Sequence, residues 1–214
     1  MRRVYRLVMF FLYGAVLSAC KPEADPVAGV LGTESPAPGR LSPYWELPEF
    51  DLLDQTGAAF KRSSMKGKVW VVDFFYTSCP GPCPALTSRL SELHQRFSAD
   101  PRVGFLSVSS DPLRDTPQVL RVYAEKFRAD ERWVFLTGSK DAVYDLANKG
   151  FRLSLKEVAD PVDPISHSTR LCLVDSMGWV RGFYEGVGEE SSPASKQLEE
   201  DAKVLVSEMV SLKP

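Results

Sequence analysis

From Trp45 onward the chain switches between two hydrophobic rhythms. Val69 to Tyr76 (VWVVDFFY) is a near-continuous apolar run, as expected of a strand buried on both faces. From Cys83 to Phe97, the residues Leu86, Leu90, Leu93 and Phe97 share one face at helical spacing and predict an amphipathic helix. VGFLSVSS (103–110) predicts the next strand, and Thr116 to Phe127 the next helix, with Pro117 early, where helix starts favour it. WVFLT (133–137) predicts a third strand, followed by a helix over Asp141 to Lys149 that Gly150 ends. TRLCLVD and WVRGFYE flank SMG, a tight turn with Gly178, and predict a hairpin. A last amphipathic helix is expected from about Ser195 to Val210. Strands alternating with helices, closing in a hairpin and a helix, give one α/β domain with a mixed sheet over 44–214. Trp45, Trp70 and Trp133 are expected in its core.

The first 43 residues break this rhythm. MRRVYR is a short basic segment, LVMFFLYGAVL an uncharged apolar one, and LSAC follows. The apolar stretch is short of the roughly 20 residues a membrane span needs, so residues 1–19 read as a signal peptide. LSAC resembles a bacterial lipoprotein signal, which makes Cys20 the first mature residue and the site of lipidation. An uncleaved anchor helix is the alternative. Either way the arginines stay inside, and the rest of the chain faces the extracytoplasmic, periplasmic side of a bacterial cell envelope. Residues 20–43 form the tether. Lys21 to Pro43 is rich in proline and glycine, has no aromatic residue, and cannot bury enough surface to offset its ordering entropy.

Charge narrows the function. The formal net charge is −2; without Arg2, Arg3 and Arg6 it is 23 basic against 28 acidic side chains, or −5. No basic stripe appears, which argues against nucleic acid as a partner.

The chemistry gathers in FFYTSCPGPCPALTSRL (74–90), where Cys79 and Cys83 stand in a C-x-x-x-C spacing between strand and helix. Pro80 and Pro82 bias Cys79 and Gly81 away from helix. Pro84 suits the first helical position, with Cys83 capping. Both thiols then sense the positive end of the helix dipole, which lowers a thiol's pKa and favours the thiolate. A thiolate either attacks a disulfide or binds a soft metal. Cys172 sits in a strand-like run and reads as a small buried hydrophobe.

A metal needs more than two thiolates, and the chain has two histidines. His94 lies eleven residues along the helix from Cys83, roughly 16 Å away, too far to share an ion, and reads as a partly exposed helix residue. His167, in DPISHSTRLCLVD, lies in a loop leading into the hairpin, and such a loop can come alongside the first strand's end. Two thiolates and an imidazole suit copper, in either Cu(I) or Cu(II) form. Structural zinc normally takes four protein ligands, and no fourth Cys or His is available; a zinc site with an open position stays as an alternative.

The domain resembles the Sco/SenC proteins, thioredoxin-like copper-binding factors for assembling the CuA centre of cytochrome c oxidase. The resemblance is carried, in the family's order, by FDLLDQTGAAFKRSSMKGKVWVVDFFYTSCPGPCP, LSVSSDPLRDTPQVLRVYAEKF, WVFLTGSKDAVYDLANKGF and HSTRLCLVD, and TSCPGPCP matches the motif T-x-C-P-x-x-C-P. It implies a thioredoxin-like fold, with Cys79, Cys83 and His167 as copper ligands. The implied partners are an oxidase subunit with a CuA-type site, and an upstream copper donor or thiol reductant. One departure is Ser166, where family members commonly carry Asp before the histidine. DPLRD supplies the family's D-x-x-x-D element, Asp111 and Asp115, implicated in recognising the oxidase subunit. A plainer account makes Asp111 a turn residue before Pro112 and Asp115 a helix cap near Thr116.

The sequence therefore supports a copper metallochaperone. The alternative is a thiol–disulfide oxidoreductase in which Cys79 attacks and Cys83 resolves the mixed disulfide, leaving His167 without a required role. A peroxidase related to the peroxiredoxins is weaker: those enzymes carry threonine three residues before the attacking cysteine, whereas Thr77 is two before Cys79.

Overall fold

The computed structural model describes residues 41–211. The expected signal peptide, Cys20 and the tether up to residue 40 lie outside the described residues. In chain order the elements are β1 (Trp45–Glu46), β2 (Asp51–Asp54), β3 (Ala59–Lys61), β4 (Val69–Phe75), α1 (Cys83–Arg96), β5 (Val103–Ser109), α2 (Pro117–Lys126), β6 (Trp133–Thr137), α3 (Lys140–Asp145), β7 (Leu155–Glu157), β8 (Ile165–His167), β9 (Arg170–Val174), β10 (Trp179–Glu185) and α4 (Ser191–Ser211). A 3-10 turn, Arg62–Met65, leads toward β4, and α3 widens into a π-helical turn, Leu146–Phe151.

Eight strands form one mixed sheet in the order β1-β10-β9-β4-β5-β6-β2-β3. β4, β5 and β6 run parallel, and the other pairings are antiparallel. β7 and β8 pair with each other as a separate hairpin. The short strands β1, β2, β3, β7 and β8 go beyond the sequence reading. They are too brief for a period-2 pattern to register.

Every residue of β4 and β5 is buried, as strands covered on both faces require. Alternate side chains of β4 enter different layers: Phe74 meets Phe151 of the π-helical turn, and Phe75 meets Tyr123 of α2. Trp70 lies against Gly104 of β5, where a Cβ would come within 2.6 Å of the indole, so only glycine admits this approach. Buried indoles need an acceptor; Trp70 Nε1 donates to the Met65 carbonyl at 2.7 Å and Trp133 Nε1 to Ser107 Oγ at 2.9 Å. Trp45 is half-buried; its Nε1 donates to the Gly150 carbonyl at 2.7 Å and its ring carries the Arg152 guanidinium.

Several boundaries move. The helix expected to stop at Gly150 runs on through the π-helical turn to Phe151, and the left-handed residue that ends it is Arg152, at φ 54°. α4 begins four residues before Ser195, at Ser191, whose Oγ donates to the Gly188 carbonyl at 2.7 Å. α2 keeps its predicted start, with Thr116 Oγ1 accepting from Val119 N–H. Gly178, at φ +88°, makes the β9–β10 turn. Leu41, placed in the tether by sequence, already packs against the core, and its carbonyl accepts from the Arg181 guanidinium. No helix among the described residues is long and apolar enough to cross a membrane.

Candidate metal and redox centre

The dithiol loop leaves the carboxyl end of β4. Cys79 N–H donates to the Tyr76 carbonyl at 3.3 Å, and the Pro82 carbonyl accepts from Leu86 N–H at 3.0 Å. Pro82 already has helical angles, φ −77° and ψ −17°, so the helix starts one residue earlier than expected. Cys83 is its first residue rather than its cap, and Pro84 is second, where its missing N–H still leaves no bond unmade. Cys79 is 8% exposed and Cys83 1%; both are free thiols. The expected acid-shifting of both thiols fails at Cys83. Burial, and after it the neighbouring Cys79, push that thiol well above its ordinary value, outweighing the Tyr76 backbone contact that lowers it.

His167 is not in a loop but closes β8. Its Nδ1–H donates to the Ser168 carbonyl at 3.0 Å, which leaves Nε2 as the lone-pair nitrogen, 3.2 Å from Cys83 Sγ. The Cys83 thiol donates to it. Burial lowers the His167 pKa, against smaller opposing effects from the Ser168 carbonyl and Asp163, so the ring is kept neutral. Cys79, Cys83 and His167 each offer one ligand atom, and the three lie within 4.8 Å of one another. A soft-sulfur pair and a neutral imidazole, partly shielded from water, form a donor set for a thiophilic metal.

The Asp111–Asp115 segment sits beside the dithiol loop in a way the sequence did not reveal. Asp115 is fully buried and caps no helix. Its carboxylate accepts from Thr77 N–H at 3.0 Å, from Thr77 Oγ1, and from Ser109 Oγ at 2.6 Å. It ties the dithiol loop to the end of β5 and has no surface with which to meet a partner. Asp111 does make the expected turn, its carbonyl accepting from Arg114 and Asp115 N–H, and its carboxylate pairs with Arg114 at 3.2 Å. Between them Leu113 stands 78% exposed.

Three further residues complete the picture. His94 is buried, contrary to expectation. Its Nε2 donates to Asp130 Oδ1 at 2.9 Å beside the Arg132 guanidinium, and its ring packs on Phe105 and Trp133. Cys172 is fully buried in β9, and burial raises its thiol pKa. Asp73, hidden within the apolar run of β4, was not singled out by sequence. Neither of its oxygens finds a well-aligned hydrogen-bond partner among the described residues, and burial pushes its carboxyl up to about 7 despite the partial relief Ser107 gives across the β4–β5 register. A lone charge inside an apolar strand was the signal available.

Two thiols and an imidazole held at the carboxyl end of a central parallel strand define a dithiol–histidine α/β domain. Residues 42–202 match the SCO1/SenC family model, so the chain belongs to the SCO1/SenC family. A SCO1 protein homolog of Bacillus subtilis is 32% identical over 152 residues, which cover 70% of this chain and 77% of the relative. BsSco, described as a member of the Sco family of cytochrome c oxidase assembly proteins with a disulfide switch, superposes with a TM-score of 0.69 at 28% identity, covering 81% of this chain and 99% of that one. ScoI of Bradyrhizobium japonicum, solved with copper bound, gives a TM-score of 0.63 at 26% identity, covering 75% and 99%.

Proposed function

We propose that the protein takes up one copper ion at Cys79, Cys83 and His167 and passes it to the CuA-type site of a cytochrome c oxidase subunit. The observation that carries this reading is the convergence of the two sulfurs and His167 Nε2 within 4.8 Å. The copper-bound relative ScoI and the assembly role given for BsSco support it. Copper here is cargo. Cys83 holds its proton when empty, so uptake releases protons and the apparent affinity rises with pH. Delivery proceeds by ligand exchange, the acceptor's thiolates replacing those of Cys79 and Cys83. The domain works from a lipid anchor at Cys20 on the extracytoplasmic side.

A second reading rests on the same sulfurs. Cys79 attacks a partner disulfide, one partner thiol leaves, and Cys83 then displaces the other while Cys79–Cys83 becomes a disulfide. The disulfide switch described for BsSco supports this reading.

Copper titration of the reduced, detergent-solubilised full chain without air separates the two. One copper per chain is expected, with binding weakened in Cys79→Ser, Cys83→Ser and His167→Ala, and with Cys172→Ser unchanged. If His167→Ala binds as tightly as the wild type while disulfide reduction stays brisk, the oxidoreductase reading replaces the chaperone.

A further inference from the structure

His167 reaches the sulfurs from a hairpin that belongs to neither edge of the main sheet. The root of that hairpin is fixed to the π-helical turn. Asn148 Nδ2 donates to the Leu155 carbonyl at 3.0 Å, and Leu155 N–H donates to Asn148 Oδ1 at 3.0 Å, so the amide acts as a short piece of strand. Ser168 N–H donates to the Ser154 carbonyl at 2.9 Å, closing the same end. The connection between the two strands is turned by Asp160, whose Oδ1 accepts from Val162 N–H at 2.8 Å and Asp163 N–H at 3.1 Å.

That turn aims Asp163 back across the dithiol loop. Asp163 Oδ1 accepts from the Tyr76 hydroxyl, and its Oδ2 lies where a Cβ on Gly81 would meet it at 3.4 Å. Tyr76 follows β4 directly, is buried, and presents its ring edge-on to His167, centroids 5.9 Å apart. The phenol stays protonated, since burial and then Asp163 raise its pKa. One hydrogen bond thus joins the residue that opens the dithiol loop to the hairpin that bears the imidazole, three residues from Cys79 and four from His167.

We propose that Tyr76 and Asp163 form a latch that seats the β7–β8 hairpin on the dithiol loop and thereby positions His167 Nε2 against the two sulfurs. Both are positioning residues. Opening the latch lets His167 move away while the Asn148 root stays fixed. On the reading of the site as a copper carrier, on which this part rests, that motion removes one ligand at the moment of transfer.

The test uses the full reduced chain and two readouts. Hydrogen exchange of the amides over 155–168, without metal, reports the seating of the hairpin. Copper titration, with the nitrogen hyperfine pattern of the Cu(II) form, reports the imidazole. Tyr76→Phe and Asp163→Ala each remove one neutral-to-charged hydrogen bond, and each is expected to speed hairpin exchange and weaken copper binding about tenfold. The double variant should be no worse than either alone, and Asp163→Asn, which keeps an acceptor, should restore most of both. Hairpin amides as protected as in the wild type in Tyr76→Phe and Asp163→Ala overturn the latch. So does an Asp163→Asn variant that fails like alanine while Tyr76→Phe is silent, because charge rather than the bond would then matter. A wild-type chain that binds no copper overturns the cargo reading instead, and the exchange experiment still decides the latch.

Discussion

Two regions of the molecule each hold one histidine, and the fold treats them in opposite ways. On the last turn of α1, His94 is enclosed by Phe105 and Trp133, and its Nε2 faces a carboxylate backed by a guanidinium. Burial pushes the Asp130 carboxyl up, yet Arg132 and His94 outweigh it and hold it at about 2. At the end of β8, His167 has only a backbone carbonyl on Nδ1, and its Nε2 faces sulfur. Burial does not distinguish them in the direction intuition suggests: the histidine beside the thiols is the less buried of the two. What distinguishes them is the atom in front of the second nitrogen. A hard carboxylate locks the ring into the core, whereas a soft thiol leaves a lone pair that a metal can take.

Paired variants test this contrast most strongly. His94→Ala removes a buried ring and leaves the ion pair of Asp130 and Arg132 short of a neighbour; it should cost about 3 kcal/mol in urea unfolding at pH 7, with copper stoichiometry unchanged. His167→Ala should lower copper affinity more than about 100-fold, beyond the loss typical of a supporting residue, while stability shifts by less than about 1 kcal/mol. Should His94→Ala abolish copper binding in a folded protein, the assignment of separate roles collapses.

Next in size is Asp115. Asp115→Ala leaves the Thr77 N–H and two hydroxyls without their buried acceptor, a loss of about 2–3 kcal/mol. Because Thr77 is two residues before Cys79, the same variant should also alter the reduction potential of the dithiol. A stable variant with an unchanged potential would return Asp115 to a bystander.

The smallest effect concerns pH. Asp73 has a folded pKa of about 7 against an ordinary value of 3.8. Between these values the folded state binds a proton that the unfolded chain has released, so stability falls as pH rises through the window. Asp73→Asn removes this loss. Its stability relative to the wild type should rise by roughly 2 kcal/mol between pH 5 and pH 8. Parallel pH profiles for the two proteins would show that Asp73 does not titrate in the fold.

Much of this was legible in the sequence. The long apolar runs of β4 and β5, the β9–β10 hairpin and α2 announce themselves because burial on both faces, a glycine turn and an N-cap are local facts. The dithiol spacing was equally visible. The geometry around His167 was not. β7 and β8 are three residues each; their root is held by a side chain, Asn148 on Leu155, rather than by a ladder pattern, and Asp163 meets Tyr76, a partner 87 residues away. Asp115 misled for a related reason: its position beside a helix start suggests a cap, but Thr116 fills that role and frees the carboxylate for Thr77. Helix geometry is enough to hold His94 apart from Cys83, but its environment depends on Asp130 and Arg132 from another part of the chain.

The margins of the main sheet are narrow: β1 has two residues and β3 three. Open strand borders are templates on which another chain can add itself, and short ones give such an addition too few rungs to hold. Copies of this domain that meet edge to edge therefore have too few rungs to zip into fibrils.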